Sequence, residues 1–199
     1  MNPQTHVLLL DVDGVLVTPP EFFGTRLLRQ APELSRAFFE GPFLSASTGR
    51  SDLLDHLPDF VSALGSPLSP AEFLRTWLES EHHPNLALWA SVRRLKERGW
   101  RVYLATNQER HRTTYLLEVV GLSDLVDGEF ASCSVGHRKP HAPYYEEVTR
   151  RLDIAPSRIV FWDDSPTNVV AARQAGWTAH EYDSAASFER IMGLEERGS

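Results

Sequence analysis

The sequence predicts an α/β fold in which a doubly wound parallel sheet is interrupted by an inserted α-helical subdomain. From about residue 86 onwards, short apolar runs of strand length alternate with segments of helical periodicity. This alternation is typical of a parallel sheet with helices on both faces. Between the first apolar run and this alternation lies a long segment of helical texture without a convincing strand. We therefore assign residues 1–17 and 90–199 to the α/β core and residues 18–89 to a helical cap.

Size and composition agree with a globular protein of this kind. The chain has 199 residues, of which 42% are hydrophobic and 24% are charged, and such a chain can bury a sizeable core. The formal net charge of −7 argues against nucleic acid or an anionic membrane as a partner, because such binders usually carry a basic excess. Cys133 is the single cysteine, so no intramolecular disulfide can form.

The apolar run near the N-terminus bears on the location of the protein. It contains only four residues, Val7–Leu10, and two acidic residues follow closely. This run is far shorter than a signal-peptide core or a membrane span of about 20 residues. We therefore expect a soluble, cytoplasmic protein that is a monomer or a small homo-oligomer.

Five short apolar runs mark the expected strands. The first ends in Asp11-Val12-Asp13-Gly14, and the fourth ends in Asp163-Asp164. Within the helical segment, Ser69-Pro70-Ala71-Glu72 supplies an N-cap serine, a proline at the first helical position and a glutamate at the third, which predicts the start of a helix. The expected strands span residues 6–10, 101–105, 130–134, 158–162 and 177–182.

Polar residues follow several of these strands at the point where each strand ends. In an open α/β sheet, ligands bind beyond the carboxyl ends of the strands, so these residues are expected to converge. Crowded carboxylates repel one another unless a cation is present, and an all-oxygen site of this kind suits Mg²⁺. A carboxylate nucleophile, a hydroxyl donor, an ammonium group and a metal site together suit phosphoryl transfer. The clusters are Asp11 and Asp13, Thr106 and Asn107, Lys139, and Asp163 and Asp164.

These clusters resemble the four motifs of the haloacid dehalogenase-like hydrolase superfamily. Asp11-Val12-Asp13-Gly14-Val15-Leu16 resembles the first motif, Thr106-Asn107 the second, Lys139 the third and Asp163-Asp164 the fourth. The stretch from Arg138-Lys139-Pro140 to Gly176 resembles the branch of small sugar-phosphate-type phosphatases, whose members carry a helical cap after the first motif. The resemblance covers nearly the whole chain and implies a Rossmann-like core.

The resemblance implies distinct roles for the two aspartates of the first motif. Asp11 would be the nucleophile that forms an aspartyl-phosphate, and it would also be a Mg²⁺ ligand. Asp13 would protonate the leaving alkoxide and then act as the base for the attacking water, while its backbone carbonyl would bind the metal.

The resemblance also implies roles for the other three motifs. Thr106 and the Asn107 amide would hold phosphoryl oxygens, and Lys139 would offset charge on the nucleophile and on the phosphoryl group. Asp164 would be the direct metal ligand of the fourth motif. Asp163 would support a metal ligand or bind the metal through a water, and many relatives have glycine at that position.

The function that follows is Mg²⁺-dependent hydrolysis of a small, sugar-phosphate-like phosphomonoester. A phosphomutase would share the same core residues, and the sequence leaves this alternative open. A non-enzymatic module that binds a phosphorylated ligand would usually lack the nucleophile or the acid, whereas Asp11 and Asp13 are both present. A haloacid dehalogenase is disfavoured because it needs neither a metal nor an acid for the leaving group.

The cap is expected to select the substrate and to open and close over the site. Residues on its inner face can be proposed from their chemistry alone, and for Arg50 a solvated position is the preferred interpretation. The candidates are Phe22, Phe23, Arg26, Phe43, Arg50 and Trp77.

Overall fold

A five-stranded parallel sheet forms the centre of the protein. The computed structural model describes residues 6–194, so residues 1–5 and 195–199 of the predicted core lie outside the described part. The strands are arranged in the order β3-β2-β1-β4-β5, and each neighbouring pair is parallel. The predicted fold class is therefore confirmed. The strands are β1 (Val7–Leu10), β2 (Arg101–Thr106), β3 (Gly128–Ala131), β4 (Ile159–Asp163) and β5 (Thr178–Glu181).

Helices cover both faces of this sheet and form the inserted segment. None of the helices among residues 6–194 is long and apolar enough to cross a membrane. Short 3₁₀ helices at Leu122–Asp124 and Pro156–Arg158 precede β3 and β4. The α-helices are α1 (Phe23–Gln30), α2 (Pro32–Glu40), α3 (Pro42–Ser47), α4 (Leu53–Ala63), α5 (Pro70–Ser80), α6 (Leu86–Glu97), α7 (Arg110–Glu118), α8 (Ser132–Val135), α9 (Ala142–Leu152), α10 (Pro166–Gln174) and α11 (Ala185–Met192).

Strand β1 shows why the sequence folds into a sheet with two covered faces. Successive side chains of a strand point to opposite faces. Leu8 and Leu10 belong to one hydrophobic cluster, which also contains residues of α6, α7 and α11. Val7 and Leu9 belong to a second cluster, which contains residues of α9 and α10. The central strand is therefore buried on both sides, which explains its uninterrupted apolar sequence.

The inserted segment has a hydrophobic core of its own. Helices α1 to α5 contribute to a third cluster, separate from the two that flank the sheet. Its aromatic rings are closely packed: the Phe38 and Phe60 rings stack with centroids 3.8 Å apart, and those of Phe23 and Trp77 with centroids 5.2 Å apart. At the start of α5, Ser69 and Glu72 form the expected capping box.

The contacts of residues 85–89 bear on where the insert ends. Helix α6 begins at Leu86, and its Leu88 and Trp89 belong to the hydrophobic cluster of the sheet rather than to that of the cap. The Asn85 side chain donates a hydrogen bond to the Val15 carbonyl at 2.9 Å. We therefore propose a boundary near residue 85, while the division of the chain into two units remains a prediction.

The third strand differs from the sequence-based expectation. A strand was predicted over residues 130–134, but β3 ends at Ala131 and the chain continues as α8. The Ser132 hydroxyl donates to the Ser47 carbonyl of the cap segment, and its oxygen also lies 3.2 Å from the Gln108 carbonyl. These contacts with distant residues turn the backbone away from the sheet, and the local sequence does not reveal them.

Candidate active site

The four predicted clusters meet at the carboxyl edge of the sheet. Asp11 follows β1, Thr106 ends β2 and Asp163 ends β4, which are three adjacent strands. The chain moves outward from β1 to β3 and then crosses to β4 on the other side of β1. This is the topological switch point of the sheet, where the strand ends leave a crevice for a ligand.

Lys139 is fixed at the centre of this edge by three acceptors. Its Nζ donates to the Ala105 carbonyl at 2.7 Å and to Asp163 Oδ2 at 2.5 Å, and it lies 3.0 Å from Asp11 Oδ1. An ammonium group has three N–H donors, so all three have a partner. The side chain is only 1% exposed. Lys139 is therefore a buried cation that neutralises and orients two carboxylates.

The Asp163 carboxylate is fully buried and almost saturated with donors. Besides Lys139, the Ser165 backbone N–H donates to Oδ1 at 2.8 Å. The Asn168 side-chain amide lies 3.0 Å from Oδ1 and 3.1 Å from Oδ2. A carboxylate offers about four acceptor sites, so little capacity remains for another ligand. These contacts suit Asp163 to holding Lys139 in place.

Asp164 differs from its neighbour because it is exposed. Its carboxylate lies directly over Gly14, where a Cβ atom would be 2.1 Å from Asp164 Oδ2. Gly14 also has a φ of +78°, in the left-handed region that glycine tolerates. Gly14 of the first motif therefore makes room for Asp164 of the fourth. Although the residue is exposed, partial desolvation of its carboxyl group, followed by the charge of Asp163, raises the pKa of Asp164.

The donor set at this edge fits a hard divalent cation. Asp11, Asp163 and Asp164 each have a carboxylate oxygen within 4.8 Å of the others. Because Asp163 is bonded to Lys139, Ser165 and Asn168, Asp11 and Asp164 are the two that have oxygens available for a cation. Burial raises the pKa of Asp11 to about 8, although the nearby Lys139 ammonium opposes the rise. A dication between these oxygens would offset the burial of their charge. Oxygen-only ligation by carboxylates is the chemistry that Mg²⁺ prefers.

Asp13 lies on the other side of the first motif and is held by different partners. Gln108 Nε2 donates to Asp13 Oδ2 at 2.7 Å, and Arg112 Nη2 donates to Oδ1 at 2.6 Å. The Asp13 side chain is 38% exposed. Its carboxylate is thus oriented by two side chains but remains accessible to a substrate.

Arg112 connects Asp13 to the inserted segment. Its Nη1 forms an ion pair with Glu81, and both side chains are almost completely buried. Glu81 in turn accepts hydrogen bonds from the Phe23 backbone N–H at 2.7 Å and from Trp77 Nε1 at 3.2 Å. Burial acts to lower the pKa of Arg112, but the carboxylates of Asp13 and Glu81 outweigh it and raise the pKa. A continuous polar chain therefore links the cap to Asp13.

Thr106 and Asn107 lie where the second motif was predicted. Thr106 is 2% exposed at the end of β2. The Asn107 side chain donates to the Lys139 carbonyl at 3.0 Å and accepts from the Lys139 backbone N–H at 2.9 Å. The side chain therefore joins two loops of the site, so an anion contact from Asn107 would come from its backbone N–H.

The sequence-based reasoning missed Gln108, Arg112, Glu81 and Asn168. Gln108 directly follows the second motif and Arg112 follows four residues later, which is the only local signal for them. Glu81 contacts Arg112 across 31 positions of sequence, and only the tertiary structure brings them together.

Two cap residues proposed to face a substrate have a structural role instead. Phe23 and Trp77 are 5% and 6% exposed, and they stack on each other within the cap core. Arg26 lies over the Phe23 ring at 4.6 Å. Arg50 is exposed, as expected for a solvated arginine.

Comparison with known proteins defines the class of protein. A family model described as haloacid dehalogenase-like hydrolase matches residues 5–176. The chain therefore belongs to the haloacid dehalogenase-like hydrolases. The resemblance inferred from the four motifs is confirmed.

Curated relatives point to phosphate chemistry. The chain is 36% identical over 112 residues to the sesquiterpene phosphatase astK of Aspergillus oryzae, a match covering 56% of this chain and 57% of that protein. It is 26% identical over 183 residues to the pyrophosphatase PpaX of Bacillus cereus, covering 87% of this chain and 81% of that protein. A flavin mononucleotide hydrolase of Arabidopsis thaliana is 36% identical, but the match covers 36% of this chain and 29% of the hydrolase. The chain thus spans less than two thirds of the first and third of these relatives.

Solved structures share the whole fold. A HAD family enzyme of Bacteroides thetaiotaomicron superposes with a TM-score of 0.78 at 19% identity, covering 94% of this chain and 98% of that one. The same enzyme in complex with magnesium and inorganic phosphate gives a TM-score of 0.74 at 20% identity, covering 89% and 94%. The cap and core architecture is therefore that of known family members.

Proposed function

We propose that this protein is a Mg²⁺-dependent phosphohydrolase that cleaves a small, sugar-phosphate-like phosphomonoester. One observation carries the proposal. Asp11 lies at the carboxylate cluster beside a buried lysine, and Asp13, two positions later, is held separately and remains accessible. A nucleophile and a proton donor with different surroundings are what a two-step phosphoryl transfer requires. Relatives named as phosphatases, and a neighbour solved with magnesium and phosphate, support it.

In the first step, an Asp11 carboxylate oxygen attacks phosphorus. A P–O bond forms to Asp11, and the P–O bond to the leaving group breaks. Asp13 transfers its proton to the leaving oxygen, so an alcohol departs and an aspartyl-phosphate remains. The Thr106 hydroxyl and the Asn107 backbone N–H donate hydrogen bonds to phosphoryl oxygens, while Lys139 stabilises their negative charge.

In the second step, Asp13 accepts a proton from water. The water oxygen attacks phosphorus, the P–O bond to Asp11 breaks, and inorganic phosphate is released. The Asp11 carboxylate and the protonated Asp13 are thereby restored. Gln108 and Arg112 hold the Asp13 carboxylate in one orientation for both proton transfers.

The metal would be held by Asp11, by the Asp13 carbonyl and by Asp164. When bound, Mg²⁺ supplies positive charge that draws phosphoryl oxygens into place and stabilises charge in the transition state. Asp163 would support Lys139 rather than bind the metal directly. Lys139, Ser165 and Asn168 already occupy almost all of the acceptor sites of the Asp163 carboxylate.

Phosphate release from 4-nitrophenyl phosphate tests the proposal. We expect release that requires Mg²⁺, is abolished by a chelator and is lost in Asp11→Asn. Glu181→Gln, an exposed change at the edge strand, is the matched control and should retain activity. A folded protein that binds Mg²⁺ but releases no phosphate from a panel of sugar phosphates would contradict hydrolysis. Transfer of phosphate back to the sugar without release would indicate a phosphomutase.

A further inference from the structure

A second cleft lies between the cap and the loop that carries Lys139. It has a volume of about 780 Å³. One wall is formed by the end of α3 and the residues after it, including Leu44 and Arg50. The opposite wall is formed by residues 136–141 of the core. Lys139 lines the cleft, while its Nζ faces Asp11 and Asp163 at the catalytic edge.

The charge of this cleft is opposite to that of the whole protein. Among the described residues that line it, the ionisable ones are Arg50, His137, Arg138, Lys139 and His141, and none is acidic. The whole chain has 27 Asp and Glu against 20 Lys and Arg. A concave surface lined with one sign of charge concentrates ligands of the opposite sign.

Arg138, which lines this cleft, has a buried donor without a hydrogen-bond partner among the described residues. Its side chain is half-buried, and its Nε is buried without a hydrogen-bond partner among the described residues. Leaving a buried donor unpaired is costly, so such a group calls for an explanation. Burial lowers the pKa of Arg138, with no carboxylate opposing the change, but a guanidinium stays charged at neutral pH. Arg112 Nε is also buried without a partner, but the Arg112 guanidinium is paired with two carboxylates, and no carboxylate faces Arg138 among the described residues.

We propose that this cleft binds an oxyanion, namely a phosphate or carboxylate group, with Arg138 and Arg50 as its main contacts. Arg138 lines the cleft and has no carboxylate partner among the described residues, so its two Nη groups are the donors that it offers to an oxyanion. Arg50 approaches from the cap wall, so the anion bridges cap and core. His137 and His141 also line the cleft and can add ring N–H donors.

An oxyanion in this cleft has one of two origins, and both present the same chemical group. It is either a second anionic group on the substrate, reaching past Lys139 from the catalytic edge, or a free anion that binds independently. The first source rests on the proposed phosphohydrolase function, and the second does not. Binding measurements separate them without any need for turnover.

Isothermal titration calorimetry on Asp11→Asn with Mg²⁺ tests the substrate source. Propyl phosphate and propane-1,3-diyl bisphosphate differ only in the second phosphate. If this group occupies the cleft, the bisphosphate binds about tenfold more tightly, which corresponds to roughly 1.4 kcal/mol. Adding Arg138→Gln should remove the advantage and leave propyl phosphate binding unchanged. Arg158→Gln, a change at an exposed arginine outside the cleft, is the control and should preserve the advantage.

NMR titration of the otherwise unmodified chain with sodium sulfate, without Mg²⁺, tests the free-anion source. We expect saturable shifts of the His137 and His141 ring resonances, abolished by Arg138→Gln and weakened by Arg50→Gln. Circular dichroism verifies that each variant is folded. If neither the bisphosphate advantage nor the histidine shifts depend on Arg138, the proposal is overturned. Loss of catalysis in every assay, with these binding effects intact, would overturn the phosphohydrolase alone.

Discussion

The two aspartates of the first motif are held in contrasting ways. Asp11 is paired with Lys139, whose other partners, Ala105 and Asp163, also belong to the sheet and its edge. Asp13 is paired with Arg112, whose second partner is Glu81 in the segment that leaves the cap. The position of Asp11, the proposed nucleophile, is therefore set by the core alone. The position of Asp13, the proposed proton donor, depends on Gln108 of the core and also on the contact between cap and core.

This difference suits the order of events in a two-step transfer. The nucleophile needs a fixed, charge-balanced setting at all times, because burying an unpaired carboxylate is costly. The proton donor is needed only once a substrate is enclosed. Linking it to the cap through Arg112 and Glu81 would make its alignment part of closure.

The largest effect is expected at Lys139, the cation whose partners all belong to the core. Lys139→Met leaves Asp11 and Asp163 buried without their counter-ion, so unfolding in urea should show a loss of about 3–5 kcal/mol. The rate of phosphate release should fall roughly 10²–10³-fold, as for the loss of an oxyanion-stabilising donor. Lys96→Met breaks the more exposed ion pair with Asp127 and should cost less than about 1 kcal/mol. Similar losses for the two variants would contradict this view of the core site.

The second-largest effect is expected at Arg112, and it should depend on the leaving group of the substrate. Arg112→Met frees the Asp13 carboxylate, so hydrolysis of an alkyl phosphate, which needs a proton on its leaving oxygen, should slow about 10²-fold. Hydrolysis of 4-nitrophenyl phosphate should change far less, because its leaving group is a weak base. The measurement is kcat for both substrates. Arg112→Lys should restore part of the loss, and the exposed Arg110→Met should show none.

A smaller loss of alkyl phosphate hydrolysis is expected at Glu81, the cap end of the polar chain that runs through Arg112 to Asp13. Glu81→Gln keeps an oxygen for the Phe23 N–H but removes the charge that faces Arg112. We expect the ratio of alkyl to aryl phosphate hydrolysis to fall about 3–10-fold, a fraction of the full general-acid contribution. An unchanged ratio in a folded variant would show that Arg112 positions Asp13 without help from the cap.

The smallest effect concerns a second link between cap and core and depends on pH. Asp52, the N-cap of α4, lies 2.6 Å from His111 Nε2 of α7, and this hydrogen bond lowers the pKa of Asp52. A lowered carboxyl pKa stabilises the fold above the unfolded value of about 3.9, and that stability is lost as pH falls through the folded value. Asn is also a good N-cap, so Asp52→Asn removes the titration while keeping the cap.

Urea unfolding between pH 6 and pH 3 measures this effect. The stability of the parent chain should fall more than that of Asp52→Asn over the lower part of the range, by less than about 1 kcal/mol because the pair is partly exposed. Parallel curves for the two proteins would show that the pair contributes nothing.

The sequence predicted the sheet and the catalytic edge because both depend on local patterns. Apolar runs such as Val7–Leu10 reveal buried strands, and polar residues at strand ends are brought together by parallel topology alone. The Glu81–Arg112–Asp13 chain could not be predicted, because it depends on how the cap lies on the core. The same holds for Trp77, since an aromatic residue on a helix can face either a substrate or a hydrophobic core.

The position of β1 at the centre of the sheet also affects how the protein is made. Its first sheet partner, β2, begins at Arg101, so the apolar strand leaves the ribosome long before any neighbour exists. At about 5–20 residues per second, that wait lasts roughly 5–20 s. During that time the cap, which has its own aromatic core, is synthesised. The inserted segment is thus available to fold before the second strand of the sheet is complete.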